Sequence, residues 1–389
     1  VQFNKHIIEY MRGVYVLLLI SLFGYAGRVG GQESVTITQC YEWARANYPQ
    51  IHQMGLIDQT ERYSLSNVGK AWLPQLSVSG KASYQSDVTK LPFDGDKISS
   101  LLPGFEIPSL SKDQYQVVAQ VDQTIWDGGS ARSARALTRA EATANREQLE
   151  SELYALNDRV NQLYFGCLLQ DELIRQNALL QKELQVNIER IEAMMENGVA
   201  NQSDLESMEV ELLNARQNEI ELKASRTVYR QMLATFINKP LTDQVVLKTP
   251  ESPERSLSTQ INRPELRALD AKSEWIETQN KQVTAGLMPR IGAFVQGGYG
   301  RPGLNMLEDS FEPYYVAGVR LSWNLGKLYT LKNDRRKIEV SRRQIDVQRE
   351  TFLFNTRLQL LQQNTEIKKM TDLMRADDDI IRLRTSIKQ

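Results

Sequence analysis

Two runs of strict alternation, each followed by a far longer run of helical periodicity, organise this chain. Leu76, Val78, Gly80, Ala82 and Tyr84 fall on one side of an extended segment, and Ser77, Ser79, Lys81, Ser83 and Gln85 on the other. Such alternation predicts a strand with one apolar and one wet face. Tyr115, Val117, Ala119, Val121 and Ile125, set against Gln116, Gln120, Asp122 and Thr124, predict its return strand. Between them, Asp87 to Lys112 has the Pro, Gly, Ser and Asp content of a long exposed loop. A second hairpin follows the same plan: Ile291, Ala293, Val295 and Tyr299, with Phe294 out of step, then Tyr315, Ala317, Val319, Leu321 and Trp323. The expected hairpins span 75–126 and 290–324.

After each hairpin the period changes. From Ser130 to Glu196 there is no proline, and a continuous helix over that stretch would run roughly 100 Å. Leu149, Leu153, Leu156, Val160, Leu163 and Cys167 recur at alternating intervals of four and three, the seam of a coiled coil. Asn197-Gly198-Val199 ends that helix, with Gly198 supplying the left-handed conformation. Ser203 or Asp204 is then expected to cap a returning helix that ends near Asn238-Lys239-Pro240, which completes a helical hairpin over 130–238. A second long helix is expected from about Leu328 onward.

The plan is written twice. Pro49 and Pro74 bracket one helical stretch, Pro264 and Pro289 another, and each pair is 25 residues apart. This predicts a first repeat over 32–240, a connecting segment over 241–261 and a second repeat over 262–389. The interval of 70 residues from Gly128 to Gly198, applied from Gly326, sets a second turn near 396, past Gln389. The expectation is therefore a chain that stops before its second helical turn.

Composition narrows the function classes. Lys+Arg 47 against Asp+Glu 48 leaves a formal net charge of -1, so no basic footprint speaks for nucleic acid. A mean hydropathy of -0.43 excludes a polytopic helical membrane protein, though not a transmembrane β-barrel, whose signal is weaker. Val14 to Ala26 is an apolar run too short to span a bilayer, with Arg12 before it and small residues after it. It reads as a secretory signal within 1–31, with a start possible at Met11. Cys40 and Cys167 make no disulfide framework and read as ordinary small helix residues.

Four strands with so wide an apolar face pose a physical problem. The flanking helices are too polar to cover it, and against lipid no strand edge is allowed to stay unpaired. Four strands cannot close a barrel alone, so the sheet has to be shared between chains. Trp72, Tyr84, Tyr115, Trp126, Tyr299, Tyr314, Tyr315 and Trp323 cluster at strand ends, as an aromatic girdle would. The lipid-facing positions are expected to include Val78, Tyr84, Val117, Val121, Val295, Val319 and Trp323.

From about Thr36 to its end the chain resembles the TolC-type outer-membrane efflux proteins. The duplicated Asn-x-Pro and Leu-Pro-Gln segments carry the resemblance, with Gln123-Thr124-Ile125-Trp126-Asp127-Gly128-Gly129 at the strand exit. So does Glu196-Asn197-Gly198-Val199-Ala200-Asn201-Gln202-Ser203-Asp204-Leu205 at the helical turn. Asn238 stands where many relatives have glycine. The resemblance implies an α+β membrane protein: long coiled helices form a periplasmic helical barrel, and four strands per chain join a shared trimeric β-barrel. It implies a passive exit duct in the outer membrane of a Gram-negative bacterium. Its partners would be two further copies, a periplasmic adaptor, an inner-membrane transporter and outer-membrane lipid, with no nucleic acid. The tip Asn197, Gly198, Val199, Ser203 and Asp204 would be the adaptor-docking site.

Catalytic chemistry is not suggested. The two histidines, His6 and His52, have no partners in the sequence, and no metal-ligand spacing, phosphate loop or nucleophile triad appears. No enzyme, cofactor or metal site is expected. Asp377-Asp378-Asp379 reads first as a solvated helix face and second as a cation or selectivity site. The competing class is an exported coiled-coil adaptor or scaffold, which would have one helical hairpin and compact soluble domains instead of two paired hairpins.

Overall fold

The computed structural model describes residues 34–88, 110–251, 261–305 and 308–388. The signal expected in 1–31, most of the loop expected in 87–112 and much of the connecting segment lie outside them. The elements are β1 (Ser34–Val35), α1 (Ile37–Asn47), a short 3-10 turn (Pro49–His52), α2 (Gln53–Lys70), β2 (Gln75–Tyr84) and β3 (Asp113–Trp126). Then come α3 (Ser130–Tyr154), α4 (Leu156–Glu196), α5 (Gln202–Ile237), β4 (Val246–Leu247), α6 (Pro264–Ala285), β5 (Arg290–Arg301), β6 (Glu312–Ser322) and α7 (Lys327–Lys388).

The four prolines act as punctuation. Pro264 takes the first turn of α6, where its missing N–H costs nothing. Pro49 instead opens the 3-10 turn that leads into α2. Pro74 and Pro289 cannot continue a helix, and β2 and β5 each begin at the next residue. The long helix expected over 130–196 is divided at Ala155, whose φ of -62° and ψ of -18° remain right-handed helical.

Two compact units result. One takes the described residues up to Ile51 with those from Glu152 to 251; the other takes His52–Ser151 with the described residues from 261 on. In the first, α1 starts with a capping box: the Gln39 amide donates to Thr36 Oγ1 (3.3 Å), and the Thr36 amide donates to Gln39 Oε1 (2.9 Å). Its buried stripe, Cys40 and Ala44, packs with Val160, Leu163, Tyr164 and Cys167 of α4 and with Leu233 and Ile237 of α5. All six seam positions expected from the sequence are buried.

Tyr164 ties this core to the parallel pair β1–β4. Its hydroxyl lies 2.8 Å from the Val35 carbonyl and 2.6 Å from that of Lys248, and donates between them. The segment after α5 is clipped back by Arg230, which is buried and donates through Nη2 to the carbonyls of Thr242 (2.6 Å) and Val245 (2.7 Å). Asn238 ends α5 in the left-handed region, φ 51°, at the position where the sequence departs from the expected glycine. Asparagine is among the few residues that adopt this conformation at small cost. Burial raises the Cys40 and Cys167 thiols to about 11 and the Tyr164 phenol to about 12.

In the second unit the strands form one antiparallel sheet in the order β2-β3-β5-β6, which leaves β2 and β6 as open edges. Helices α6 and α7 pack through Ile276, Ile338 and Ile345. An ion pair joins Arg349 to Asp270, and another joins Arg342 to Glu277 at 3.7 Å. From Arg357 to Ser386, α7 is exposed at every residue but Thr371. No described helix is long and apolar enough to cross a membrane.

Candidate functional site

Strand register decides which residues share a face. Leu76 stands opposite Val121, Val121 opposite Val295 and Val295 opposite Ala317. Val78 pairs with Ala119, Gly80 with Val117, Val117 with Tyr299 and Ala293 with Val319. Directly paired residues of an antiparallel sheet lie on one side. Six of the seven positions expected to face lipid, namely Val78, Tyr84, Val117, Val121, Val295 and Val319, therefore form a single surface. It is uncovered: Val78 and Val319 are each 70 % exposed. Trp323 lies one residue beyond β6, and its indole N–H donates to the Leu287 carbonyl at 2.9 Å.

Register corrects one expected position. The β3–β5 pairing skips Ile125, so Trp126 and not Ile125 stands opposite Ile291. A bulge inserts one unpaired residue and reverses the alternation beyond it, which brings the Trp126 ring to the apolar face. The aromatics then sort by height. Trp72, Trp126 and Trp323 sit at the ends next to the helices, and Tyr84, Tyr115 and Tyr299 towards the far ends. Tyr315 is in mid-face, and Tyr314 is on the other side, over Gly298. Leu76 to Tyr84 is eight steps, about 26 Å of strand.

The opposite face carries Ser77, Ser79, Lys81, Gln116, Gln120, Asp122 and Gln296. Phe294, out of step in the sequence, belongs here: it pairs with Asp122 and Gly318, and the Arg320 guanidinium lies 4.8 Å from its ring centre. Arg320 also approaches Asp122 at 3.9 Å. A cavity of about 540 Å³ opens on this side, lined by these three residues and by Ser130, Ala134 and Lys327.

Sequence reasoning missed a clasp at the far end. Arg301 pairs with Asp113 at 2.5 Å and lies 5.9 and 5.6 Å from the ring centres of Tyr115 and Phe311. Phe311 stacks between Tyr115 (6.4 Å) and Tyr299 (5.7 Å). The available signal was an arginine closing an alternating strand two residues after Tyr299.

The helical turn has caps at both ends. Gly198, φ +70°, donates to the Met195 carbonyl and Val199 to that of Met194, each at 2.9 Å, the paired bonds of a Schellman motif. The Asn197 side chain adds a bond to the Ala193 carbonyl at 2.7 Å. The cap of α5 is Asn201, which corrects the expected Ser203 or Asp204. Asn201 has the extended backbone a cap requires, and its Oδ1 accepts the Asp204 amide at 3.0 Å. Asp204 is the third helical residue and accepts the Asn201 amide at 3.2 Å. The Ser203 carbonyl accepts a hydrogen bond from the Ser207 hydroxyl. Val199 is 75 % exposed.

No group of three or more His, Cys, Asp or Glu residues with metal-site geometry occurs among the described residues. Asp377, Asp378 and Asp379 are exposed along α7, with Arg382 paired to Asp379 at 3.0 Å.

Residues 40–239 match the model of the family described as outer membrane efflux protein. The fold is that of solved outer-membrane channels. Against the outer membrane protein VceC of Vibrio cholerae the TM-score is 0.54 at 14% identity, over 82% of this chain and 75% of that one. Against the CmeC outer membrane channel of Campylobacter jejuni it is 0.55 at 12% identity, over 82% and 68%. Against the outer-membrane channel OprN it is 0.55 at 16% identity, over 82% and 71%. Among proteins of curated function, none matches this sequence.

Proposed function

The chain belongs to the outer membrane efflux protein family, and from that premise we propose that it is the exit duct of a tripartite export system. In this reading three copies each contribute β2, β3, β5 and β6 to one closed barrel in the outer membrane. Val78, Tyr84, Val117, Val121, Val295, Val319 and Trp323 meet lipid, and the face bearing Gln120, Phe294 and Arg320 meets water. The halves 32–240 and 262–389 act as repeats around the 241–261 connection, and their long helices continue the duct into the periplasm. The turn Asn197–Asp204 meets an adaptor, which links the duct to an inner-membrane transporter. Transport itself needs no bond-making here; the transporter supplies the energy.

One observation carries the reading: a four-stranded sheet with an uncovered apolar face and two open edges. In water such a face is an aggregation hazard. In hydrocarbon the open edges are forbidden. Closure with copies of the same sheet, surrounded by lipid, removes both difficulties. The experiment is fractionation of the expressed chain with and without Val319→Arg. The wild-type chain is expected in outer membranes as a detergent-stable trimer. Val319→Arg should lower assembly by about 2–4 kcal/mol if the site lies near the bilayer midplane. A soluble monomer after osmotic shock would overturn the duct and favour a periplasmic scaffold.

A further inference from the structure

The first turns of α3 carry a charge pattern that the helix itself does not favour. Residues 130–140 read Ser-Ala-Arg-Ser-Ala-Arg-Ala-Leu-Thr-Arg-Ala, with Arg132, Arg135 and Arg139 and no acid. Cations near a helix N-terminus oppose the macrodipole, and acids are the residues that would stabilise it. Spacings of three and four place the three arginines on one stripe. At 100° per residue that stripe lies away from Ser130 and Ala134, which line the cavity on the polar side of the sheet.

The stripe borders a cavity of its own, of about 510 Å³, where Trp72 and Lys281 join the three arginines. Arg132, Arg135, Arg139 and Lys281 are exposed, and among the described residues none forms an ion pair. The one acid lining this cavity, Asp127, is committed to the backbone: it accepts the amides of Gly129 (2.9 Å) and Ala131 (2.5 Å). A second cavity of about 520 Å³ adjoins it. Arg132, Ala136 and Lys281 line both, and the second adds Ala285 and Met288. Four unpaired cations thus stand beside an apolar pocket at the end of the sheet marked by Trp72, Trp126 and Trp323.

We propose that this paired cavity binds the phosphodiester headgroup of an anionic phospholipid. Arg132, Arg135, Arg139 and Lys281 hold the phosphate, and Met288 and Trp72 border the glycerol and first acyl carbons. The assignment rests on the outer-membrane reading, which puts the tryptophan end of the sheet at a bilayer interface. An inorganic anion would use the cations alone; the apolar cavity sharing Arg132 and Lys281 is what selects a lipid. The site would hold the sheet-to-helix junction at a fixed depth.

The test uses the full chain reconstituted into vesicles of phosphatidylcholine alone and of phosphatidylcholine with about one third phosphatidylglycerol. Spin-labelled lipids of each headgroup report association. The wild-type chain should prefer phosphatidylglycerol at least about fivefold. Arg132→Gln and Lys281→Gln should each reduce that preference by about fivefold, the usual weight of one surface cation near anionic lipid. Arg216→Gln, on α5, should leave it unchanged. A wild-type chain that inserts into both vesicles without headgroup preference overturns this site and leaves the duct standing. So does a preference that survives in the double variant. Displacement of phosphatidylglycerol by millimolar inorganic phosphate would mark a free-anion site and overturn the lipid assignment. A chain that enters neither vesicle refutes the membrane reading and this site with it.

Discussion

Leu233 and Leu321 are the same side chain in two situations. Leu233, on α5, is fully buried against α1 and α4; Leu321, on β6, is 67 % exposed. Around Leu233 four backbone carbonyls are answered as well: Tyr164 reaches two of them, and Arg230 two more. Around Leu321 the backbone bonds on one side to β5, and the other side of β6 is an open edge. The first region carries its stability within one chain. The second leaves an apolar face and two strand edges uncovered; in the duct reading a lipid phase and matching strand edges complete it. In that reading the duct needs both: a body that folds in water and a sheet that is finished only on assembly.

Truncation at each leucine is the most direct way to break that contrast. Leu233→Ala should destabilise its unit by about 2–5 kcal/mol, the loss of a packed side chain plus the cavity left behind. Leu321→Ala should change the stability of the detergent-solubilised monomer by no more than about 0.5 kcal/mol. Hydrogen exchange resolved to the amides of α4 and β6 measures both in one sample. Equal costs at the two positions would mean that the sheet is already covered within the monomer.

Why one region was legible and the other was not follows from what sequence encodes. The sheet face was read residue by residue, because a period of two is visible in a single strand and register only multiplies it. It failed at Ile125 and Trp126, since a bulge depends on the partner strand, and Phe294 stayed unexplained until Arg320 and Asp122 were beside it. The seam from Leu149 to Cys167 was likewise visible as a heptad. What packs on its Val160–Cys167 part was not, because α1, α5 and the β1–β4 pair come from distant parts of the chain. Tyr164 and Arg230 are ordinary helix residues in the sequence, and their acceptors are backbone carbonyls, which leave no mark in composition. At the turn, Gly198 was legible from its type. The cap was misplaced by two or three residues because Asn, Ser and Asp all stand there, and only the extended backbone of Asn201 distinguishes it.

Alkaline pH should sharpen the comparison by loosening one side alone. Cys40, Cys167 and Tyr164 have their pKa values raised in the folded chain, burial being the main cause. The unfolded chain therefore gives up these protons first. The stability tied to the neutral thiols is intact below about pH 9 and falls as pH rises towards 11. The slope is at most about 1.4 kcal/mol per pH unit for each thiol, and less for the interacting pair. Unfolding midpoints of the Cys40 region measured between pH 7 and 11 should decline above pH 9. Cys40→Ala combined with Cys167→Ala should flatten the decline between about pH 9 and 10, above which the buried Tyr164 phenol, raised from 10 to about 12, still lowers stability. A midpoint that rises with pH, or a double variant with the wild-type slope, would contradict the assignment.

The smallest effect is expected at the turn, which separates local strain from function. Gly198 and Asn238 both end a helix in the left-handed region, one as glycine and one without it. A Cβ added at Gly198 would meet nothing within 4 Å, so the cost of substitution there is conformational alone. Gly198→Asn should then be nearly silent, because Asn238 already adopts this conformation in the same chain. Gly198→Val should cost on the order of 1 kcal/mol, since a branched side chain is disfavoured at positive φ. Neither change should affect the buried core, and both variants should accumulate as the wild type does. In the duct reading Val199 and its neighbours are presented to an adaptor by this turn. Gly198→Val should therefore lower cross-linking to the adaptor and export together, while Gly198→Asn preserves both. If Gly198→Val leaves cross-linking and export at wild-type levels, the shape of the turn does not carry the coupling. If Gly198→Asn fails as Gly198→Val does, the turn senses the side chain itself and not the backbone conformation.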